Sequence, residues 1–402
     1  MQCEFILLCI FRPLVFTLLE FFPAGPTVTD CFKVKTKRIV IKIGTNVLHQ
    51  SNGKLDYKLI TELAAQITII RGKGNEVLVV SSGSVGAGRE LCTVDESKNT
   101  LASHQILASV GQARLIQIYA DAFREHQTTV AQILLTRGDF GRRKSYLNIR
   151  NTLENLLKYK IVPIVNENDV VATEELDLNF GDNDLLAVYL ATLIGADQLF
   201  FLTVAPGLLK EETTAEGKRS VVVEKVEELT DEIIKHCLPF TSAGGKGGME
   251  SKVRSAGMAM SFGIDTYIID GKSPAGVSDI MEGYSRGTHF VAHGRKIRSY
   301  QKWLAAGALN KGTLVIDAGA EQALLKNKKS LLAKGITRVE GQFEIKDLVE
   351  ICNAEGVRLG VGRADCTAKE LRQQLKEYKL TKTSGKGLLS KPVIHRNHLF
   401  LE

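Results

Sequence analysis

Short runs of almost wholly apolar residues recur along the chain, separated by longer stretches in which apolar residues return every third or fourth position. The runs RIVIKIG (38–44), NEVLVVSSG (75–83), TVAQILL (129–135), IVPIVNEND (161–169), QLFFLT (198–203) and DTYIID (265–270) predict strands. Helical periodicity occupies 56–72 and 249–262, and a further helix is expected after Asp184. Strands that are apolar throughout, rather than alternating with polar residues, are covered on both faces, and helices between them supply the cover. The pattern predicts an α/β domain with a doubly wound, mainly parallel sheet, whose ligands gather at the carboxyl ends of the strands.

Before that pattern lies an apolar stretch of a different kind. FILLCIFRPLVFTLLEFF (5–22) resembles a membrane-inserting segment, but Arg12, Pro13 and Glu20 interrupt it, no Lys or Arg precedes Phe5, and no small-residue cleavage site follows. Residues 1–35 are read as a hydrophobic extension; a targeting or anchor segment stays open, but a spurious upstream extension or an accessory segment is preferred. The folded part is expected from about Lys35 onward.

Composition narrows the class. At 402 residues, 44% hydrophobic and 24% charged, the chain can bury a large core. Its length suits two or three domains at about 150 residues each. Residues 295–402 hold 21 Lys/Arg against 11 Asp/Glu, so within a net charge of +7 the basic surplus belongs to the tail. Seven cysteines, at 3, 9, 31, 92, 237, 352 and 366, form no CxxC pair, which argues against a zinc site or a disulfide framework and for a reducing, cytoplasmic setting.

The polar residues collect where the strands end. Lys42 lies inside an apolar strand, and a buried ammonium needs an anionic partner. SSGSVGAGR (81–89) closes the second strand with small residues and glycines that let backbone N–H groups approach a carboxylate or phosphate. NEND (166–169) closes another strand, and Asp182, Asn183 and Asp184 stand before an apolar helix, where capping alone would use one of them. GGKGGMESK (244–252) is a glycine-rich loop entering a helix with Lys252, without the spacing of a P-loop or of a dinucleotide fingerprint. Each cluster has a plain structural explanation. Together they match phosphoryl transfer, in which an enzyme mainly holds and neutralises charge on the moving group.

In order along the chain, VIKIGTNVL, VVSSGSVGAGR, VPIVNENDVVAT, GDNDLLA and GGKGGMESK resemble the amino-acid kinase family, and within it the bacterial glutamate 5-kinases. Carbamate, acetylglutamate and uridylate kinases share the fold and the lysine strand, but not NEND followed by GDND and a basic C-terminal module. That module, from LVIDAGAEQALL to VIHRNH, resembles a small β-rich PUA domain. The resemblance implies an amino-acid kinase domain over 36–294, a linker over 295–311 and a PUA-like domain over 312–397. It also implies ATP-dependent phosphorylation of the L-glutamate side chain to L-glutamate 5-phosphate, the first step of proline biosynthesis.

By the same resemblance, Lys42 and Lys252 flank the transferred phosphate and Asp184 holds both, while Asp169 and Asn183 grip the amino and carboxyl groups of glutamate with help from Ser82. Asp182 is read as a cap. Lys42, Thr203, Val204 and the loop of Lys246, Gly247, Gly248, Met249, Glu250, Ser251 and Lys252 would line the nucleotide site, with Mg2+ arriving on ATP. Proline is the expected feedback inhibitor and a homo-oligomer the expected assembly. One departure stands out: the family pattern places an aspartate after FFLT, where this chain has Val204.

Two other functions stay open beside the kinase. Val204 permits an amino-acid-binding sensor with weakened ATP binding, and the basic tail permits RNA association, although a lysine-rich solvated face is preferred because no aromatic stacking surface is interleaved with the charges. His289 with His293, four apart, and His395 with His398, three apart, are expected in linker and tail segments without an adjacent acid, and no metal site is read from them.

Overall fold

Lys42 faces one side of a parallel sheet because of simple alternation. In the computed structural model, which describes residues 36–97, 100–171, 183–214, 217–237, 248–273, 275–292, 311–381 and 391–401, strand β1 spans Arg38–Ile43. Its odd-numbered residues Ile39, Ile41 and Ile43 enter one core layer, and Val40 enters the other. Successive side chains of a strand point to opposite faces, so Lys42 shares its face with Val40.

The chain alternates after β1 as expected. Helices α1 (Thr45–Leu48) and α2 (Tyr57–Gly72) lead to β2 (Glu76–Ser81), then α3 (Ser84–Leu91), α4 (Thr100–Arg124) and β3 (Val130–Leu135). There follow α5 (Arg137–Gly141), α6 (Arg143–Lys158), β4 (Val162–Glu167), α7 (Asn183–Ile194) and β5 (Gln198–Thr203). A hairpin, β6 (Leu209–Thr214) and β7 (Gly217–Val222), precedes the short β8 (Lys225–Val226) and α8 (Asp231–Lys235). The domain ends with α9 (Met249–Ser261), β9 (Asp265–Asp270), α10 (Gly276–Met281) and β10 (Thr288–Phe290).

Eight strands form one sheet in the order β3-β4-β2-β1-β5-β9-β10-β8. From β3 to β9 all neighbours are parallel, and only β10 runs antiparallel to β9. Lys42 lies in register with Val80 of β2 and Phe201 of β5, at the centre of the sheet. One face packs on α2 and α4 through residues such as Leu63, Ile67 and Tyr119. The other packs on α7 and α9 through Ala187, Leu190, Val253 and Ala256. The double layer explains the uninterrupted apolar runs. The β6–β7 hairpin was not expected, since LKEETT and GKRSVV are largely polar and exposed and carry no apolar period.

The second domain comprises β11 (Gly312–Ile316), α11 (Ala318–Leu325), β12 (Leu331–Leu332), β13 (Ile336–Gly341), β14 (Leu348–Cys352), β15 (Arg358–Arg363), α12 (Ala368–Thr381), β16 (Pro392–Ile394) and β17 (Leu399–Leu401). Its main sheet runs β13-β11-β14-β15-β17, so it takes in residues beyond the expected boundary at 397. Leu314, Ile316, Val349 and Ile351 fill its own core. Alternation along β15 then turns Val361 outward, and it joins Leu348 in the core cluster of the kinase domain. Phe400 meets Phe262 there, ring centroids 6.0 Å apart.

Most of the expected linker, the hydrophobic extension and Asp182 lie outside the described residues, as does His293. His289 corrects one expectation: it lies in β10 and its Nε2 is 3.0 Å from Asp265 Oδ1, so an acid does adjoin it in space. His398 likewise has Asp365 at 3.9 Å. Among the described residues no helix is long and apolar enough to cross a membrane.

Candidate active site

Three buried charges meet at the carboxyl end of β1. Lys42 Nζ lies 2.5 Å from Asp184 Oδ1, and Lys252 Nζ lies 3.1 Å from Asp184 Oδ2. Relative exposures are 2% for Lys42, 0% for Asp184 and 6% for Lys252. Lys42 comes from the centre of the sheet, Asp184 from the first turn of α7, and Lys252 from the first turn of α9. All three sit on the sheet face that α7 and α9 cover. The helix begins at Asn183 and not after Asp184, so this carboxylate lies within the first turn, where an acidic side chain suits the free N–H groups.

Asp184 engages both ammonium groups at once, one on each carboxylate oxygen. Burying ions costs several kcal/mol each unless partners compensate, as order-of-magnitude bookkeeping. With both carboxylate oxygens engaged, the two ammonium groups are held in fixed positions on either side of Asp184.

The glycine turn after β2 forms the adjoining wall. Ser82 and Ser84 are both buried, and Gly83, at φ 104°, precedes α3 in a conformation that favours glycine. Asn183 donates from Nδ2 to Ser82 Oγ at 2.9 Å and to Asn166 Oδ1 at 3.0 Å. Ser84 Oγ donates to Asp169 Oδ2 at 3.0 Å. This bond brings Asp169 to the start of α3. Beneath the turn, Tyr119 and Ser81 share a hydrogen bond of 2.8 Å, and burial pushes the Tyr119 phenol well above its ordinary pKa, so it stays protonated.

The nucleotide candidates divide. Gly248 precedes α9 in extended conformation, Met249 packs partly against the core, and Glu250 pairs with Arg254 at 2.7 Å on the surface. Ser251 lies beside Lys252 in the same first turn. Lys246 and Gly247 lie outside the described residues. Thr203 ends β5 and its carbonyl accepts from Gly271 N at 2.7 Å, while Val204 just beyond it is 48% exposed.

Three polar residues of this site were not foreseen. Asn166 was hidden within NEND, where its position as the last buried residue of a strand was the available signal. Ser84 was lost in a turn of small residues. Gln112, which accepts from Asn166 Nδ2 at 2.8 Å, sits mid-helix in α4 and carries no local sequence signal.

Comparison with known proteins places the fold. Residues 37–270 match the Amino acid kinase family and residues 312–378 the PUA domain. A glutamate 5-kinase of Chlorobaculum tepidum is 40% identical over 368 residues, covering 91% of this chain and 97% of the relative. One from Dehalococcoides mccartyi is 38% identical over 366 residues, covering 90% and 98%. A third, from Thermosynechococcus vestitus, is 39% identical over 339 residues, covering 83% and 90%. The chain thus belongs to the amino acid kinase family, on the glutamate 5-kinase branch, with a PUA domain following the kinase fold.

Proposed function

We propose that the chain transfers the γ-phosphoryl group of ATP to the side-chain carboxylate of L-glutamate, giving L-glutamate 5-phosphate and ADP and opening proline biosynthesis. The observation that carries this reading is Asp184 bonded at once to Lys42 and Lys252. A glutamate side chain is already ionised at neutral pH, with an ordinary pKa of about 4.3. The nucleophile needs no general base. It needs relief from repulsion by the phosphate it attacks, and two fixed ammonium groups provide that on the equatorial oxygens as charge redistributes in transfer. Asp184 orients them and takes no proton.

The substrate's ammonium group is assigned to the Asn183 and Asp169 side, and its α-carboxylate to Ser82 and the glycine turn at the start of α3. ATP would lie along Thr203 and Val204 with residues 246–252 over its phosphates. Mg2+ would arrive as part of the nucleotide substrate, because both oxygens of Asp184 are engaged by lysines. The free thiols Cys92, Cys237 and Cys366 suit a reducing cytoplasm. Sensing without turnover and RNA association are not favoured, since relatives 36–40% identical over about nine-tenths of the chain are named glutamate 5-kinases.

The test is ADP release measured side by side with glutamate, aspartate, acetylglutamate and carbamate. Glutamate should be turned over fastest, and proline added to the same assay should raise the KM for glutamate while leaving that for ATP unchanged. Equal or faster turnover of acetylglutamate would remove the reading.

A further inference from the structure

Behind Asn183 runs a chain of side-chain amides that phosphoryl transfer itself does not use. Asn183 Nδ2 donates to Asn166 Oδ1 at 3.0 Å, and Asn166 Nδ2 donates in turn to Gln112 Oε1 at 2.8 Å. An amide can be turned end for end, so the direction of such a chain needs fixed points. Two backbone groups supply them. The Ser81 carbonyl, 3.4 Å from Asn183 Nδ2, can only accept, and the Glu167 N–H, 2.9 Å from Asn166 Oδ1, can only donate. Every amide in the row is thereby oriented with its oxygen on a defined side.

The consequence falls on Asn183 Oδ1. It is buried and has no hydrogen-bond partner among the described residues. A buried amide oxygen without a donor is unfavourable, and a ligand bringing an N–H supplies what it lacks. An ammonium group does this with charge as well.

Gln112 is brought to this row by close backbone contact. A Cβ on Gly111 would stand 1.8 Å from the Ser84 carbonyl oxygen, and one on Gly88 would stand 2.0 Å from that of Leu107. Helices α3 and α4 therefore touch backbone to backbone, which sets the residue after Gly111 against the end of β4.

We propose that Gln112 is a positioning residue for substrate specificity: by accepting from Asn166 Nδ2 it holds in place the amide whose direction the backbone fixes, and so steadies Asn183 with its oxygen toward the substrate's ammonium group. The inference rests on the glutamate-phosphorylating reading above and adds to it the residue that holds the amide behind the amino-group pocket in place.

The experiment compares wild type, Gln112→Met and Gln112→Glu by steady-state kinetics in both substrates, with thermal unfolding of each. Methionine keeps the length and removes the acceptor, leaving Asn166 Nδ2 without its partner and Asn166 less firmly held; glutamate as the replacement retains an oxygen there. Gln112→Met should raise the KM for glutamate about tenfold, the loss of one buried hydrogen bond, with kcat and the KM for ATP within about twofold. Gln112→Glu should stay within about threefold of wild type in the same constant. An unchanged glutamate KM in Gln112→Met would overturn the inference, as would Gln112→Glu impaired to the same degree. So would kcat, both KM values and the melting temperature all worsening together, which marks a merely structural role. Wild type without glutamate turnover would remove the proposed reaction and this inference together, whereas an active wild type with a silent Gln112→Met removes the inference alone.

Discussion

Val204 shows how much one residue type conveys and where its meaning needs three dimensions. The sequence marks it as an apolar residue where relatives in the family pattern carry an acid, and that permits two explanations: a lost contact to the nucleotide, or a repacked pocket in which a charge could not be tolerated. Its 48% exposure at the end of β5 removes the second, because a carboxylate placed there remains solvated. Val204→Asp should leave the melting temperature unchanged within about a degree, surface substitutions being close to neutral. If the restored acid accepts from the nucleotide, the KM for ATP falls severalfold, since a charged hydrogen bond contributes about 1.5 to 3 kcal/mol, with kcat nearly constant because ground and transition states share the contact. Steady-state kinetics in ATP check this, and a lower melting temperature with no gain in KM would speak against it. Lys42 was legible as a site residue for the opposite reason: an ammonium in an apolar strand has no cheap explanation. Gln112 was not legible, since a glutamine in a helix is ordinary until its neighbour across the fold is known.

At the scale of elements, the core strands could be read because burial on both faces leaves a signal in the residues themselves. QLFFLT and DTYIID correspond to β5 and β9 residue for residue. The same logic fails for β6 and β7, which pair with each other and expose most of their side chains, so nothing in their composition marks them as strands. Contacts between helices are harder still. The approach of α3 and α4 depends on glycines whose importance lies in what would collide, and the sequence displays them only as part of a small-residue turn. Gly111→Ala should be severe, because its Cβ would meet a backbone oxygen at 1.8 Å and backbone cannot rotate aside. Overpacking of this kind typically costs about 1 to 3 kcal/mol, and relief by parting the helices would displace the Ser82–Ser84 turn. Denaturant unfolding with parallel measurement of the glutamate KM checks both effects; wild-type values for the two would contradict the close contact.

For the whole molecule, the two domains share core. Leu348 and Val361 of the PUA domain are buried in the cluster that contains Val253 and Phe262, and Phe400 leans on Phe262 at the end of the helix that begins with the Lys252 turn. Sequence reading located a basic module at the C-terminus, but not this docking, because an outward Val361 on a strand looks like any other strand residue. The +7 net charge says nothing of it either. Phe400→Ala should remove an aromatic pair and part of a packed surface, about 2 kcal/mol for a partly buried ring. Calorimetry should show the main unfolding transition lowered by several degrees, on the usual scaling of roughly 2–4 °C per kcal/mol for domains of this size. An unchanged main transition, or a shift confined to a separate small one, would mean that the domains are thermodynamically independent.

The most direct measurement of the two-lysine mechanism is kcat at saturating ATP and glutamate for Lys42→Met and Lys252→Met. If each ammonium stabilises charge that develops during transfer, kcat falls about a hundredfold or more in either variant, with the KM for glutamate little changed. A raised KM for glutamate with kcat preserved in either variant would contradict it, and would make these lysines binders of substrate rather than participants in phosphoryl transfer.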